Sequence, residues 1–179
     1  MGTVIRLLLA SLGALYLCAV GAAFAGVETI PTNGRNVYRL AVAHVGGELQ
    51  AIGSTYDNRV CAFSVEGKHL WDAPVGGFVF DLTVADLDGD GRDEIVAACA
   101  DGFVRVLDAV GKVRWEHDLL APVLQVCIAR LDGKSPMVLA GGAARRVVMF
   151  SPAGQLLQTV NLDQGVANAA VRMLRAGGK

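Results

Sequence analysis

Three stretches of this chain repeat one another at a spacing near forty-four residues, and nothing else in the sequence restricts the fold as much. The first reads Arg59-Val-Cys-Ala-Phe-Ser-Val-Glu-Gly67 and continues Lys68-His-Leu-Trp71. The second reads Phe103-Val-Arg-Val-Leu-Asp-Ala-Val-Gly111 and continues Lys112-Val-Arg-Trp115. The third reads Arg146-Val-Val-Met-Phe-Ser-Pro-Ala-Gly154 and continues Gln155-Leu-Leu-Gln158. Gly67, Gly111 and Gly154 stand 44 and 43 residues apart, and Trp71 and Trp115 stand 44 apart. Upstream, Val42, Val84 and Ile128 recur at 42 and 44. A unit of this length cannot bury its apolar face alone, so several must stack and share a core.

The middle unit shows what each repeat contains. Phe78 to Ala85 is a run of β-formers closed by an Asp/Gly cluster, and Glu94 to Cys99 is a short apolar strand. Asp101-Gly102 supplies a tight hairpin turn, because primed turns need positive φ. Phe103 to Leu107 alternates apolar and polar, Gly111 marks another turn, and Lys112 to His117 alternates around Val113 and Trp115. Four short antiparallel strands per period describe a β-propeller blade. The fold class expected is all-β, with blades at about 37–76, 77–120 and 121–161. Val166-Ala-Asn-Ala-Ala-Val-Arg-Met-Leu174 aligns at an offset of 43 with Val123 to Leu131, so 165–174 reads as the first strand of a fourth blade, with a helix as the local alternative. Rings close with roughly 4–8 blades. Three and a quarter units leave an incomplete ring, so further blades from a longer chain or a partner chain are expected.

The amino terminus is of another kind. Met1 to Ala25 carries one charged side chain, Arg6, then the apolar run Leu7 to Phe24, and ends Ala23-Phe24-Ala25. This reads as a secretory signal peptide cleaved after Ala25, leaving 26–179 as a secreted or periplasmic chain. A membrane anchor is the alternative, and Cys18 lacks the preceding small residue of a lipid-modified cysteine. Cleavage removes one of 16 basic residues, leaving 15 against 17 acidic and a net charge of −2. With no clustered basic face, nucleic acid is not an expected partner. Cys61, Cys99 and Cys127 are widely spaced in apolar stretches and read as buried free thiols, although a Cys99–Cys127 bridge between neighbouring sheets stays open.

One segment carries chemistry. Asp86-Leu-Asp88-Gly-Asp90-Gly91-Arg92-Asp93-Glu94 places carboxylates at loop positions 1, 3, 5 and 9, with glycine at position 6. Calcium takes 6–8 oxygens, so a short loop must converge several carboxylates and a backbone carbonyl on one point. Asp86, Asp88, Asp90, the Arg92 carbonyl and Glu94 are the expected ligands, and calcium the expected cofactor. Position 12 is Ala97, so this is not an EF-hand. Counting Asp93, five carboxylates in nine residues would repel without a counter-ion. Affinity of the millimolar class, about 10⁻⁴–10⁻³ M, is expected as for extracellular modules.

The segment Thr83-Val-Ala-Asp-Leu-Asp-Gly-Asp-Gly-Arg-Asp-Glu-Ile-Val96 resembles the FG-GAP/VCBS repeat of integrin-type β-propellers. That resemblance implies calcium held between the first and second strands of a blade by the residues just named. The Gly-Lys-x-x-Trp tails at Gly67 to Trp71 and Gly111 to Trp115 resemble quinoprotein-like propeller repeats. The first unit has His44-Val-Gly-Gly-Glu48 and the third Arg130-Leu-Asp-Gly-Lys134 at the loop position, too few acids for further sites.

Other candidates read as structural. His44, His69 and His117 fall at dissimilar places without metal spacing, no G-x-S-x-G elbow occurs, and Gly141-Gly142 precedes no helix. Trp71 and Trp115 share a repeat position and read as packing between blades. With no acid/base pair outside the loop, the expectation is a calcium-binding module, not an enzyme, that binds a protein or glycan. The alternative is the N-terminal part of a propeller enzyme, quinone-dependent or polysaccharide-degrading.

Overall fold

The computed structural model describes residues 34, 36–130 and 135–163. The signal-peptide reading of 1–25, Cys18 and the fourth-blade strand at 165–174 lie outside the described residues. Twelve strands form three four-stranded antiparallel sheets, and no helix occurs among the described residues. Blade 1 comprises β1 (Val37–Val45), β2 (Glu48–Thr55), β3 (Arg59–Ser64) and β4 (His69–Pro74). Blade 2 comprises β5 (Val79–Ala85), β6 (Glu94–Cys99), β7 (Phe103–Leu107) and β8 (Val113–Asp118). Blade 3 comprises β9 (Val123–Ala129), β10 (Met137–Gly142), β11 (Arg146–Phe150) and β12 (Leu156–Asn161). Strand order follows chain order in every sheet, so each blade is a meander. The expected all-β architecture of propeller blades in an incomplete ring is what the structure shows.

The first strands lie side by side, β1 against β5 and β5 against β9, and the sheets stack face to face around them. Blade 2 is therefore covered on both faces. Ile95, Ala97, Cys99 and Leu107 pack with Ala43, Ile52, Val60 and Ala62 of blade 1. Val96, Ala98, Val104 and Val106 pack with Val123, Val138, Val148 and Phe150 of blade 3. Alternate residues of β6 thus enter different cores, and all six are buried. Each large aliphatic side chain removed from water here contributes roughly 1.5–3 kcal/mol. Cys61, Cys99 and Cys127 are free thiols.

The repeated tryptophans lock one blade to the next. Trp71 Nε1 donates to the Ala109 carbonyl at 3.1 Å, and Trp115 Nε1 to the Pro152 carbonyl at 2.9 Å. Each indole lies over the turn glycine of the following blade. A Cβ on Gly111 would come within 2.5 Å of Trp71 Cε3, and one on Gly154 within 2.7 Å of Trp115 Cγ. Both glycines also sit at positive φ, +84° and +82°. Only glycine meets both demands, which explains its recurrence with the tryptophan. His117, near the end of β8, joins this packing. It stacks on Phe150 at 4.7 Å and lies 2.6 Å from the Gly154 carbonyl, so it belongs to the same interblade joint.

Candidate metal centre

The acidic loop joins β5 to β6, where Ala85 pairs with Glu94 and closes the hairpin. Its carboxylates are held by the loop's own backbone. Asp86 accepts from Gly89 N at 2.6 Å and Gly91 N at 3.0 Å, and Asp88 accepts from Asp90 N at 3.2 Å. Asp90 accepts from Arg92 N at 2.8 Å. Glu94, only 2 % exposed, accepts from Leu87 N at 3.0 Å. Short Asp side chains favour such local bonds, which is why they shape turns.

Of the five residues expected as ligands, the structure draws three together. Oxygens of Asp86, Asp88 and Glu94 all lie within 4.8 Å of one another. Asp90 stays outside that cluster but lines, with Arg92, the same open cleft of about 250 Å³ as Asp88 and Glu94.

The cleft also holds a counter-charge that the loop sequence does not reveal. Arg114 of β8 places Nη1 2.7 Å from Asp88 Oδ2 and 2.8 Å from Glu94 Oε1. Hydrogen bonding to Arg114 holds the Asp88 carboxyl below its ordinary range. Burial acts oppositely on Glu94 and, aided by the nearby Asp88 charge, raises its pKa despite the bonds from Leu87 and Arg114. The repulsion expected among the five acids is thus partly relieved by a residue of β8, twenty positions downstream of the loop. The repeat frame carried a signal for it. Position 114 is Arg where the other units have Leu70 and Leu157, and only this unit has the acidic loop.

Asp93 has another role. Its carboxylate accepts from His44 N at 2.7 Å and lies 3.3 Å from His44 Nδ1, while Asp93 N donates to the His44 carbonyl at 2.8 Å. Val45 and Arg92 add an isolated antiparallel bridge. The loop is clipped to the end of β1, so its position reports on the junction of blades 1 and 2. Arg130, directly after β9 of blade 3, donates to the Asp86 carbonyl at 2.9 Å. The Arg105 guanidinium, elsewhere in blade 2, is held by Asp101 at 2.8 Å and Glu116 at 2.9 Å and is structural.

Comparison with known proteins gives a consistent family. Residues 50–167 match the model of the lambda-carrageenase β-propeller domain. Lambda-carrageenases of Pseudoalteromonas sp. and Pseudoalteromonas carrageenovora are each 30 % identical over 142 residues, which is 79 % of this chain and 15 % of theirs. The chain therefore spans about a seventh of the length of these curated relatives. Among solved structures, a complex of BBS1N with ARL6DN superposes with a TM-score of 0.59 at 17 % identity, covering 77 % of this chain and 43 % of that one. The Vibrio cholerae biofilm matrix protein Bap1 gives 0.53 at 20 %, covering 72 % and 21 %. At these identities the structures show the propeller fold alone. The similarity to lambda-carrageenases overturns the expectation of a module that is not an enzyme and favours the alternative, part of a polysaccharide-degrading propeller enzyme. The β-propeller expected from the FG-GAP/VCBS resemblance is supported, whereas the family matched is the lambda-carrageenase β-propeller domain and not FG-GAP/VCBS. Among the described residues no helix is long and apolar enough to cross a membrane.

Proposed function

Because the chain belongs to the lambda-carrageenase β-propeller domain family, we propose that it is the propeller part of an exported polysaccharide-degrading protein and engages the polysaccharide chain. The observation that carries this is the family match across residues 50–167, which spans blades 2 and 3 and most of blade 1. The amino-terminal sequence 1–25 supports export to the periplasm or the medium. The test uses purified full chain and lambda-carrageenan, with retardation in polysaccharide-containing native gels and release of reducing ends as readouts. Retardation, with or without cleavage, is the expected result. A protein that neither binds nor cleaves the polymer refutes the reading.

We further propose that the β5–β6 loop takes calcium. The donor set is oxygen only, which suits a hard cation, and ligands at 2.3–2.6 Å from one ion lie at most about 5 Å apart. The 4.8 Å cluster of Asp86, Asp88 and Glu94 fits that limit. Asp90 and the Arg92 carbonyl, both in the same loop, would complete the set. Calcium there would neutralise the loop and stiffen the clip formed by Asp93 and His44. Calorimetric titration of wild type and Asp88→Ala tests it, and equal heats from both would dispose of the site.

A further inference from the structure

At the blade end opposite the acidic loop, four aromatic rings gather across the junction of blades 1 and 2. Tyr38 and Phe78 have ring centroids 4.8 Å apart, Tyr56 lies 5.6 Å from Tyr38 and 5.4 Å from Phe78, and Phe80 lies 5.3 Å from Phe78. Tyr38 is 40 % exposed and Tyr56 58 %. Arg39 rests 5.1 Å from the Tyr38 ring centre, donates through Nε to the Phe80 carbonyl at 3.0 Å and pairs with Asp81 Oδ1 at 3.7 Å, which fixes a half-exposed, ion-paired guanidinium at the edge of the group.

The repeat shows that these rings are not needed to build a blade. Register shifts make Tyr38 the extra residue of β1, Phe80 that of β5 and Leu124 that of β9. Such bulges turn a side chain away from the ladder. The turn after each second strand repeats as well: Tyr56 N donates to the Asn36 carbonyl, Ala100 N to that of Phe78, and Ala143 N to that of Pro122. At the three equivalent places blade 1 therefore carries Asn36, Tyr38 and Tyr56. Blade 2 carries Phe78, Phe80 and Ala100, and blade 3 carries Pro122, Leu124 and Ala143. One backbone geometry is made with and without aromatic side chains. The surplus of rings is gathered where two blades meet, with Tyr38 and Tyr56 exposed and Phe78 and Phe80 half-buried beneath them, an exposed cluster of a kind that marks interaction sites.

We propose that Tyr38, Tyr56 and Phe78 form a stacking platform for the hexose rings of a polysaccharide. Sugar rings present flat C–H faces that pack on aromatic faces, while their hydroxyls bond to tyrosine O–H and guanidinium N–H groups, and Tyr supplies both surfaces in one side chain. The inference rests on the polysaccharide reading above and names where that polymer sits.

The experiment compares full-length wild type, Tyr38→Ala and Tyr56→Ala in native gels containing graded lambda-carrageenan. Tyr56→Ala installs the residue that blades 2 and 3 already use, so it should fold cooperatively, with a urea midpoint lowered only by the loss of its contacts to Tyr38 and Phe78. Each substitution should weaken apparent affinity by about tenfold, the loss expected when one ring contact is removed. If wild type is retarded and both folded variants are retarded equally, the platform is wrong and the broader reading stands, with the rings left as a protein-contact surface. If wild type itself is not retarded and releases no ends, both fall.

Discussion

Replacing Arg114 with leucine, the residue at the equivalent positions 70 and 157, should strengthen calcium binding while weakening the metal-free protein. Arg114 reaches Asp88 and Glu94 at 2.7 and 2.8 Å. An ion held by the same carboxylates would lie about 5 Å from the guanidinium, given metal–oxygen distances of 2.3–2.6 Å. Two unit charges 4 Å apart interact by about 1 kcal/mol in water. A divalent ion facing one positive charge at about 5 Å is thus opposed by roughly 1.5–2 kcal/mol, more where Glu94 is shielded from solvent. Removing that repulsion should tighten the dissociation constant by roughly ten- to thirtyfold. The metal-free fold should lose about 1 kcal/mol, a modest figure because Arg114 is partly exposed. At a fixed saturating concentration a tenfold gain adds about 1.4 kcal/mol of ligand-linked stability. For a chain of this size that is a rise of roughly 3–6 °C in the calcium-induced shift of Tm. Calorimetry and thermal melts with calcium or chelator read both quantities. An Arg114→Leu protein that binds calcium no better than wild type would refute the view that guanidinium and metal compete for the same oxygens.

Gly111→Ala should be far costlier than Gly47→Ala, although both glycines have positive φ. Gly47 has nothing within 4 Å of a built Cβ and bears only the backbone strain of about 1–2 kcal/mol, whereas Gly111 adds collision with Trp71 and about 1–3 kcal/mol more; equal urea midpoints would undo the interlock argument. Burial pushes the Cys99 thiol up to about 11, so alkylation at pH 8 should occur only through unfolding, and prompt labelling of native protein at Cys99 would contradict its placement. The raised pKa of Glu94 means the folded state binds its proton more tightly than the unfolded chain. Its stabilising contribution is present below the ordinary carboxylate pKa and is lost as pH rises through the raised value. In chelator, wild type should lose stability relative to Glu94→Gln as pH climbs from 4 to 7, and parallel profiles would count against it.

Local and periodic features could be read from the residues alone. Each blade is a run of hairpins whose turns are written in nearby residues: Asp101-Gly102, Gly111, Gly154 and the acidic loop all declare themselves within a few positions, and the repeat multiplies every such signal threefold. The strand β6 was legible as apolar, but its six consecutive buried residues lack the period-two alternation that would assign a face, because neighbouring blades cover both. The long-range contacts, within blade 2 and between blades, were settled by the three-dimensional packing. Trp71 to Ala109, His44 to Asp93, Arg114 to Asp88 and Tyr38 to Phe78 join residues 26 to 49 positions apart. Their meeting depends on sheet stacking and side-chain direction, not on spacing along the chain. The loop's acids could be counted in the sequence, yet three sharing a centre, Asp93 serving as a clip and an arginine neutralising two of them follow from how blade 2 folds back on itself and against blade 1.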